Sequence, residues 1–191
     1  SRVDVARETD LVEEIARHYG YDRLPTTFPA LRQPPPAADP RVDRDRQARR
    51  LLAAAGLSEA VTFTFIGAEA AARFVDGAAP VPVAHPLSEK FAALRPSLLP
   101  GLLESLAHNR HREQRDVRLF EVGRRFSPDR GERRAAALVW TGAGQPRHWS
   151  GGPREVDFFD VKGVVEGFCR RMGAPAEVRA GSCAWLAPGR S

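Results

Sequence analysis

Two cysteines, Cys169 and Cys183, are too few for a disulfide framework in a chain of 191 residues, and a reducing, cytoplasmic setting is the expected one. No apolar run approaches the length of a membrane-spanning helix, which excludes a helical membrane protein. The start carries no signal-peptide pattern, and because it opens on Ser rather than Met the chain reads as an excised fragment. Lysine is nearly missing: of 29 basic residues only Lys90 and Lys162 are lysine, a usage that fits a GC-rich coding background beside abundant Ala, Gly and Pro. His18, His85 and His148 lack the spacing of metal ligands. Gly142, Gly144, Gly151 and Gly152 lack the spacing and strand–helix context of a phosphate loop, and this stretch reads as a hairpin or loose tip.

What is present describes a globular protein, with 42% hydrophobic and 28% charged residues and a net charge of +5 that permits contact with nucleic acid without demanding it. The densest signal lies in the first 25 residues. Leu11, Val12, Ile15, Ala16 and Tyr19 recur at helical spacing, Thr9 or Asp10 stands where an N-cap belongs, and Glu13 where a capping-box carboxylate would reach back. Gly20 stops this helix and a turn over 22–25 leads away. Asp10, Glu13 and Glu14 therefore share one edge of the first turn. Upstream, Arg2-Val3-Asp4-Val5-Ala6 alternates as a short strand would, and a strand packed there would bring Asp4 to the other three carboxylates. Such an all-oxygen set suits magnesium. Acidic residues also gather at helix N-termini because the macrodipole favours them, so ordinary capping accounts for the same spacing.

The rest of the chain reads in order. Residues 26–40, containing Pro34-Pro35-Pro36, form a stiff polyproline-like linker between a helical appendage (1–25) and the main domain (41–191). Asp39-Pro40 opens a helix through about Ala55, ended by Gly56. Residues 60–65 alternate Thr and Phe as a strand, 68–75 form a short helix, and 98–112 a long one after Pro96. Residues 116–123 and 133–141 are strands, and Phe158-Phe159-Asp160-Val161-Lys162 leads into a helix over 163–172. Without repeats or regular strand–helix alternation, the fold class is α+β, with a largely antiparallel sheet and flanking helices. His108, Asn109, Arg110, His111 and Arg112 make a basic helix end that suits nucleic-acid phosphates, or simply a solvated terminus favoured by the dipole. Glu121 reads as a former ligand position or as a sheet-holding partner of a nearby Arg, Cys169 as a small packed hydrophobe.

Four patterns in this order resemble the β subunit of bacterial phenylalanyl-tRNA synthetases. They are Arg2-Val3-Asp4-Val5 with residues 10–21; His85-Pro86-Leu87-Ser88-Glu89 with residues 94–103; Leu119-Phe120-Glu121-Val122-Gly123; and Asp157-Phe158-Phe159-Asp160-Val161-Lys162-Gly163. The resemblance covers nearly the whole chain. It implies that residues 1–25 close a small B5 domain and that 41–191 form a core like the class II synthetase catalytic domain, truncated at its C-terminus. It implies magnesium held by Asp4, Asp10, Glu13 and Glu14 at a site shared with the α subunit. It also implies an α2β2 tetramer, tRNA(Phe) as partner, and ATP and phenylalanine handled by α.

Two departures from an active class II core stand out. The ATP motif of such cores places Arg two residues before Glu; here Glu121 is preceded at that position by Leu119, and Arg118 is one step off, on the opposite strand face. In Leu94-Arg95-Pro96-Ser97, Ser97 stands where a Glu is common. The expected function is therefore a non-catalytic assembly portion of a phenylalanine–tRNA ligase, inactive by itself, with an apolar face over 98–106 exposed to a partner and a tendency to self-associate. A free-standing nucleic-acid module and an autonomous ligase are the alternatives.

Overall fold

The computed structural model describes residues 3–28, 37–75, 79–145, 148–149, 151–152, 154–181 and 185–186. In chain order the elements are α1 (Glu8–Tyr19), a 3-10 turn (Tyr21–Arg23), α2 (Pro40–Ala54), β1 (Ser58–Glu59), β2 (Phe65–Ile66), α3 (Ala68–Ala72), a second 3-10 turn (Glu89–Phe91), β3 (Ala93–Leu94), α4 (Leu99–His111), β4 (Val117–Ser127), β5 (Gly131–Thr141) and α5 (Phe158–Arg171). They fall into two units, Ser1–Ala38 and Asp39–Ser191. The Pro34-Pro35-Pro36 run lies outside the described residues, as does Cys183.

In the first unit, α1 forms where the apolar periodicity places it, but it starts earlier than the capping pattern predicts. Arg7 is its N-cap, and Asp10, at the third helical position, reaches back so that Oδ2 accepts from the backbone N–H of Ala6 (2.9 Å) and Arg7 (2.7 Å). Asp10 thus supplies the reciprocal carboxylate expected of Glu13. Gly20 ends the helix at φ 101°, a conformation that a side chain at this position would strain. The strand expected at the chain start does not form among the described residues: Val3 and Asp4 lie in a turn that runs into the cap, while Arg2 is outside them. With no neighbouring strand to pair with, alternation alone cannot hold an extended segment.

The second unit is organised on β4 and β5, two eleven-residue strands paired from Val117↔Thr141 to Ser127↔Gly131. β1 adds to the other edge of β4 in parallel, giving the order β1-β4-β5, while β2 and β3 form a separate antiparallel pair. The α+β class expected from the sequence is the class observed. Alternation along β4 divides its residues between two layers. Phe120 and Val122 join Ala48 and Leu52 of α2, with Leu57, and the α5 residues Val164 and Phe168 pack onto them. Leu119 faces the other layer, where Leu98, the N-cap of α4, and Leu102 of α4 meet Val139 of β5. Buried on both faces, β4 is the centre of the core.

Three expectations need correction here. The strand expected over 60–65 is split: Ala60 N–H bonds the Phe120 carbonyl (2.8 Å) beyond the β1 edge, the chain then leaves that sheet, and Phe65 opens β2 against β3. The side-chain alternation survives: Thr62 turns inward while Phe63 is exposed and stacks edge-on with Phe91. The last helix begins at Phe158 rather than Gly163, because Asp157 caps it, accepting from the N–H groups of Phe159 (2.8 Å) and Asp160 (3.1 Å). The apolar face expected to be exposed over 98–106 is mostly core: Leu98 and Leu102 are fully buried, and Leu103 is the exposed large residue.

Candidate functional site

The acidic edge of α1 is assembled from one helical turn and the segment before it. Asp10 Oδ2 is engaged by two backbone N–H groups, which leaves Oδ1. Glu14 pairs with Arg17 at 2.7 Å on the solvated helix surface. Glu13 and Asp4 are exposed. Among the described residues no three His, Cys, Asp or Glu side chains stand close enough to hold a metal ion in this arrangement. The helix therefore places Asp10, Glu13 and Glu14 along one edge, as the spacing predicts, without gathering them around a common point.

A second constellation lies inside the other unit, where Arg95 and Glu121 are both about 3% exposed. Arg95 follows β3, and Glu121 sits mid-way along β4 on the layer that faces α4. Arg95 Nη1 donates to Glu121 Oε1 (2.8 Å) and to Thr62 Oγ1 (2.9 Å), while Nε donates to the Arg124 carbonyl (2.8 Å). Thr62 Oγ1 in turn donates to Glu121 Oε2 (2.7 Å). Among the described residues no buried side-chain nitrogen or oxygen lacks a partner, so the charges are internally satisfied. Backbone bonds tie the same residues together: Arg95 N–H to the Thr64 carbonyl (3.0 Å) and Phe126 N–H to the Arg95 carbonyl (2.9 Å).

The closeness of this packing is visible at two glycines. A Cβ on Gly123 would stand 2.5 Å from Arg95 Nη2 and 3.0 Å from Glu121 Oε1, and one on Gly101 would collide with the Thr62 side chain. The network thus fills the space between β4 and α4 completely. Both charged members are buried, and only Thr62 is half-exposed. It ties the 60–64 segment, β3 and β4 into one body. Arg118, the residue one step off the ATP motif, lies on the opposite face of β4. Its guanidinium stacks 4.4 Å from the Trp140 ring centroid and donates to the Ala143 carbonyl (2.9 Å).

Elsewhere the structure assigns plain roles. His108, Arg110 and His111 are exposed in the last turn of α4. Lys162 lies near Glu166 (3.6 Å) one turn along α5, and Cys169 is half-buried on the same helix. Arg154 grips both carboxylate oxygens of Asp160 at 2.7 Å each, and this fork, with the N–H of Asp157, holds the Asp160 pKa down at about 2. Residue-level reading foresaw an arginine for Glu121 without naming Arg95. The pair is 26 residues apart, and no local periodicity reports it. The arginines lining the turn end of the β4–β5 hairpin, Arg125, Arg130, Arg133 and Arg134, were not singled out either.

Comparison with known proteins agrees with this architecture. A family model described as the phenylalanyl tRNA synthetase beta chain CLM domain matches residues 24–191. The phenylalanine–tRNA ligase beta subunit of Pseudomonas putida is 41% identical over 196 residues, covering 100% of this chain and 25% of that protein. That of Geobacillus kaustophilus is 38% identical over 200 residues, again covering 100% of this chain and 25% of the relative. The chain thus spans about a quarter of the length of the curated relatives it matches. Among solved structures, a histidine–tRNA ligase subunit from Alicyclobacillus acidocaldarius superposes with a TM-score of 0.54 at 13% identity, over 77% of this chain and 44% of that one, a likeness of fold alone. Matched along nearly all of its length by that family model, and end to end by those relatives, the chain belongs to the phenylalanyl-tRNA synthetase beta chain family.

Proposed function

We propose that this chain is an assembly portion of a phenylalanine–tRNA ligase: a core that has kept the synthetase fold and given up its own catalysis. The observation that carries this reading is the Arg95–Glu121–Thr62 network. An active core of this class uses the Glu121 region toward ATP; here that carboxylate is buried and neutralised by Arg95, and Arg118 is turned to the other face of β4. Activation of phenylalanine with ATP then falls to an α subunit, and the β core serves as its packing partner in an α2β2 cytoplasmic enzyme that charges tRNA(Phe). No helix among the described residues is long and apolar enough to cross a membrane.

In the same reading, magnesium is held at the α contact by Asp4, Asp10, Glu13 and Glu14. The donor chemistry fits: all four are hard oxygen ligands, exposed or half-exposed, and magnesium takes few carboxylates and keeps its waters. The present arrangement leaves them ungathered, with Glu14 given to Arg17 and one Asp10 oxygen given to the helix cap. An exposed ion pair of that kind is worth under about 1 kcal/mol and yields readily to a divalent cation. Bound there, the ion would supply positive charge against the four carboxylates of this chain at the α contact.

The test is capture of the matching α subunit by this chain, with and without magnesium, for wild type and for Asp4→Asn plus Glu13→Gln. These two substitutions leave the Asp10 cap intact. Magnesium-dependent capture that the double variant loses supports the site; capture indifferent to magnesium and to the variant reduces the four carboxylates to capping and solvation. Failure of every form to capture α overturns the assembly role itself.

A further inference from the structure

The register of the β4–β5 hairpin sets Arg125 directly opposite Arg133. Like charges facing each other across a strand pair are destabilising, and such a pair is normally relieved by a carboxylate nearby. Among the described residues the neighbouring carboxylates pair with other arginines, two of them lining the same groove, and none pairs with Arg125 or Arg133. Asp129 accepts from Ser127 Oγ (2.8 Å) and from Arg130 (3.2 Å), Glu132 pairs with Arg124 (2.9 Å), and Asp45 of α2 pairs with Arg134. Among the described residues Arg133 donates only to the Arg130 carbonyl (3.3 Å), a neutral group that leaves its charge uncompensated. Arg125 is half-buried, which fixes its stem against the sheet, whereas Arg130 and Arg133 are exposed. The result is an open groove of about 480 Å³ lined by Arg125, Arg130, Arg133 and Arg134 and by no apolar side chain.

That lining separates the possible occupants. A protein partner requires an apolar centre to its contact, with charges at the rim. A sugar–phosphate backbone requires none: it is bound by arginine forks that match phosphate bidentately and by release of condensed counterions. We propose that the groove at the tip of the β4–β5 hairpin is a phosphodiester-binding surface for the backbone of tRNA, with Arg125 and Arg133 as its paired contacts and Arg130 as the third. The assignment rests on the chain being part of a tRNA ligase and names where on it the tRNA lies. It contacts phosphate and sugar only, so it contributes affinity and register and leaves the choice of tRNA to other surfaces.

The ligase assembly carrying this chain is titrated with a fluorescently labelled tRNA(Phe) transcript over a series of salt concentrations, as wild type, Arg125→Gln plus Arg133→Gln, Arg130→Gln and Arg124→Gln. Each lost phosphate contact lowers the slope of log K against log salt by about 1, so the double variant drops by roughly 2 and Arg130→Gln by about 1, with weakened affinity in each. Arg124→Gln, on the opposite sheet face and paired with Glu132, leaves the slope unchanged. Because the double variant removes opposed like charges, its thermal midpoint stays level or rises; should it misfold instead, Arg130→Gln on the turn decides. Unchanged slope and affinity in the folded variants overturn the groove, as does loss of α capture with tRNA binding intact, which would mark a protein contact. Wild-type assembly that does not bind tRNA at all overturns the ligase reading, an outcome distinct from failure of the groove.

Discussion

Replacing Arg95 with methionine leaves the Glu121 carboxylate in the core with only the Thr62 hydroxyl and N–H as partners. Removing one member of a buried ion pair costs roughly 3–5 kcal/mol, because the remaining charge keeps its desolvation penalty and loses its compensation. Against a total stability of about 5–15 kcal/mol for a domain, that is a large share. In urea, with a slope of about 2 kcal/mol/M, the unfolding midpoint falls by roughly 1.5–2.5 M. Glu121→Leu alone carries a similar cost, since it strands the guanidinium of Arg95. The pair Arg95→Met plus Glu121→Leu is the informative variant: both charges leave together, and the loss falls well short of the sum, with a coupling of about 2 kcal/mol or more. Unfolding curves of the three variants and wild type, followed by far-UV circular dichroism, measure that cycle. Additive losses below about 1 kcal/mol each would refute the claim that this network holds the core together.

Two further outcomes follow from local geometry. Gly101→Ala drives a methyl group into Thr62 and destabilises by about 1–3 kcal/mol, whereas Gly163→Ala, in α5 with nothing within 4 Å of the added Cβ, stabilises by about 0.5–1 kcal/mol; thermal unfolding of both variants reads the difference. Asp160, held at about 2 against an ordinary 3.8 first by the Arg154 fork and then by the Asp157 N–H, contributes stability that is complete above pH 3.8 and is lost as the pH falls through 2. Its carboxyl carbon, followed by NMR, should titrate near 2 and move upward in Arg154→Gln; a midpoint near 3.8 in wild type would show that the fork does not form in solution.

Much of the fold is written locally. Gly20 and Gly56 end their helices where the sequence predicts, both with positive φ, and Asp39-Pro40 opens α2 with the Asp39 carboxylate accepting from the Arg41 N–H. The stretch around Leu119-Phe120-Glu121-Val122 is legible as a strand because its alternation serves two layers, although β4 runs four residues beyond the expected end to complete the hairpin with β5. The misreadings have a common cause. Residues 60–64 carry strand-like alternation, yet their backbone and side chains are drawn to Arg95 and Glu121, residues distant in sequence that outcompete further pairing on the β1 edge. The start of α5 lies five residues before the expected Gly163, because Asp157 and Asp160 form a reciprocal cap that the sequence reading did not use.

The family and the helix ends were determined by the sequence itself, because they depend on short ordered patterns and on residues such as glycine and aspartate whose preferences act over one turn. The acidic edge of α1 was legible for the same reason, since i, i+3 and i+4 positions share a face in any helix. Tertiary structure alone decided which charges are silent and which are free. Glu121 and Arg125 lie four residues apart on the same face of one strand; one is buried against Arg95 and the other is left facing Arg133. Their difference comes from where β3, α4 and the hairpin register place other residues in space, and the energy of a charge is set by that surrounding rather than by its place in the chain.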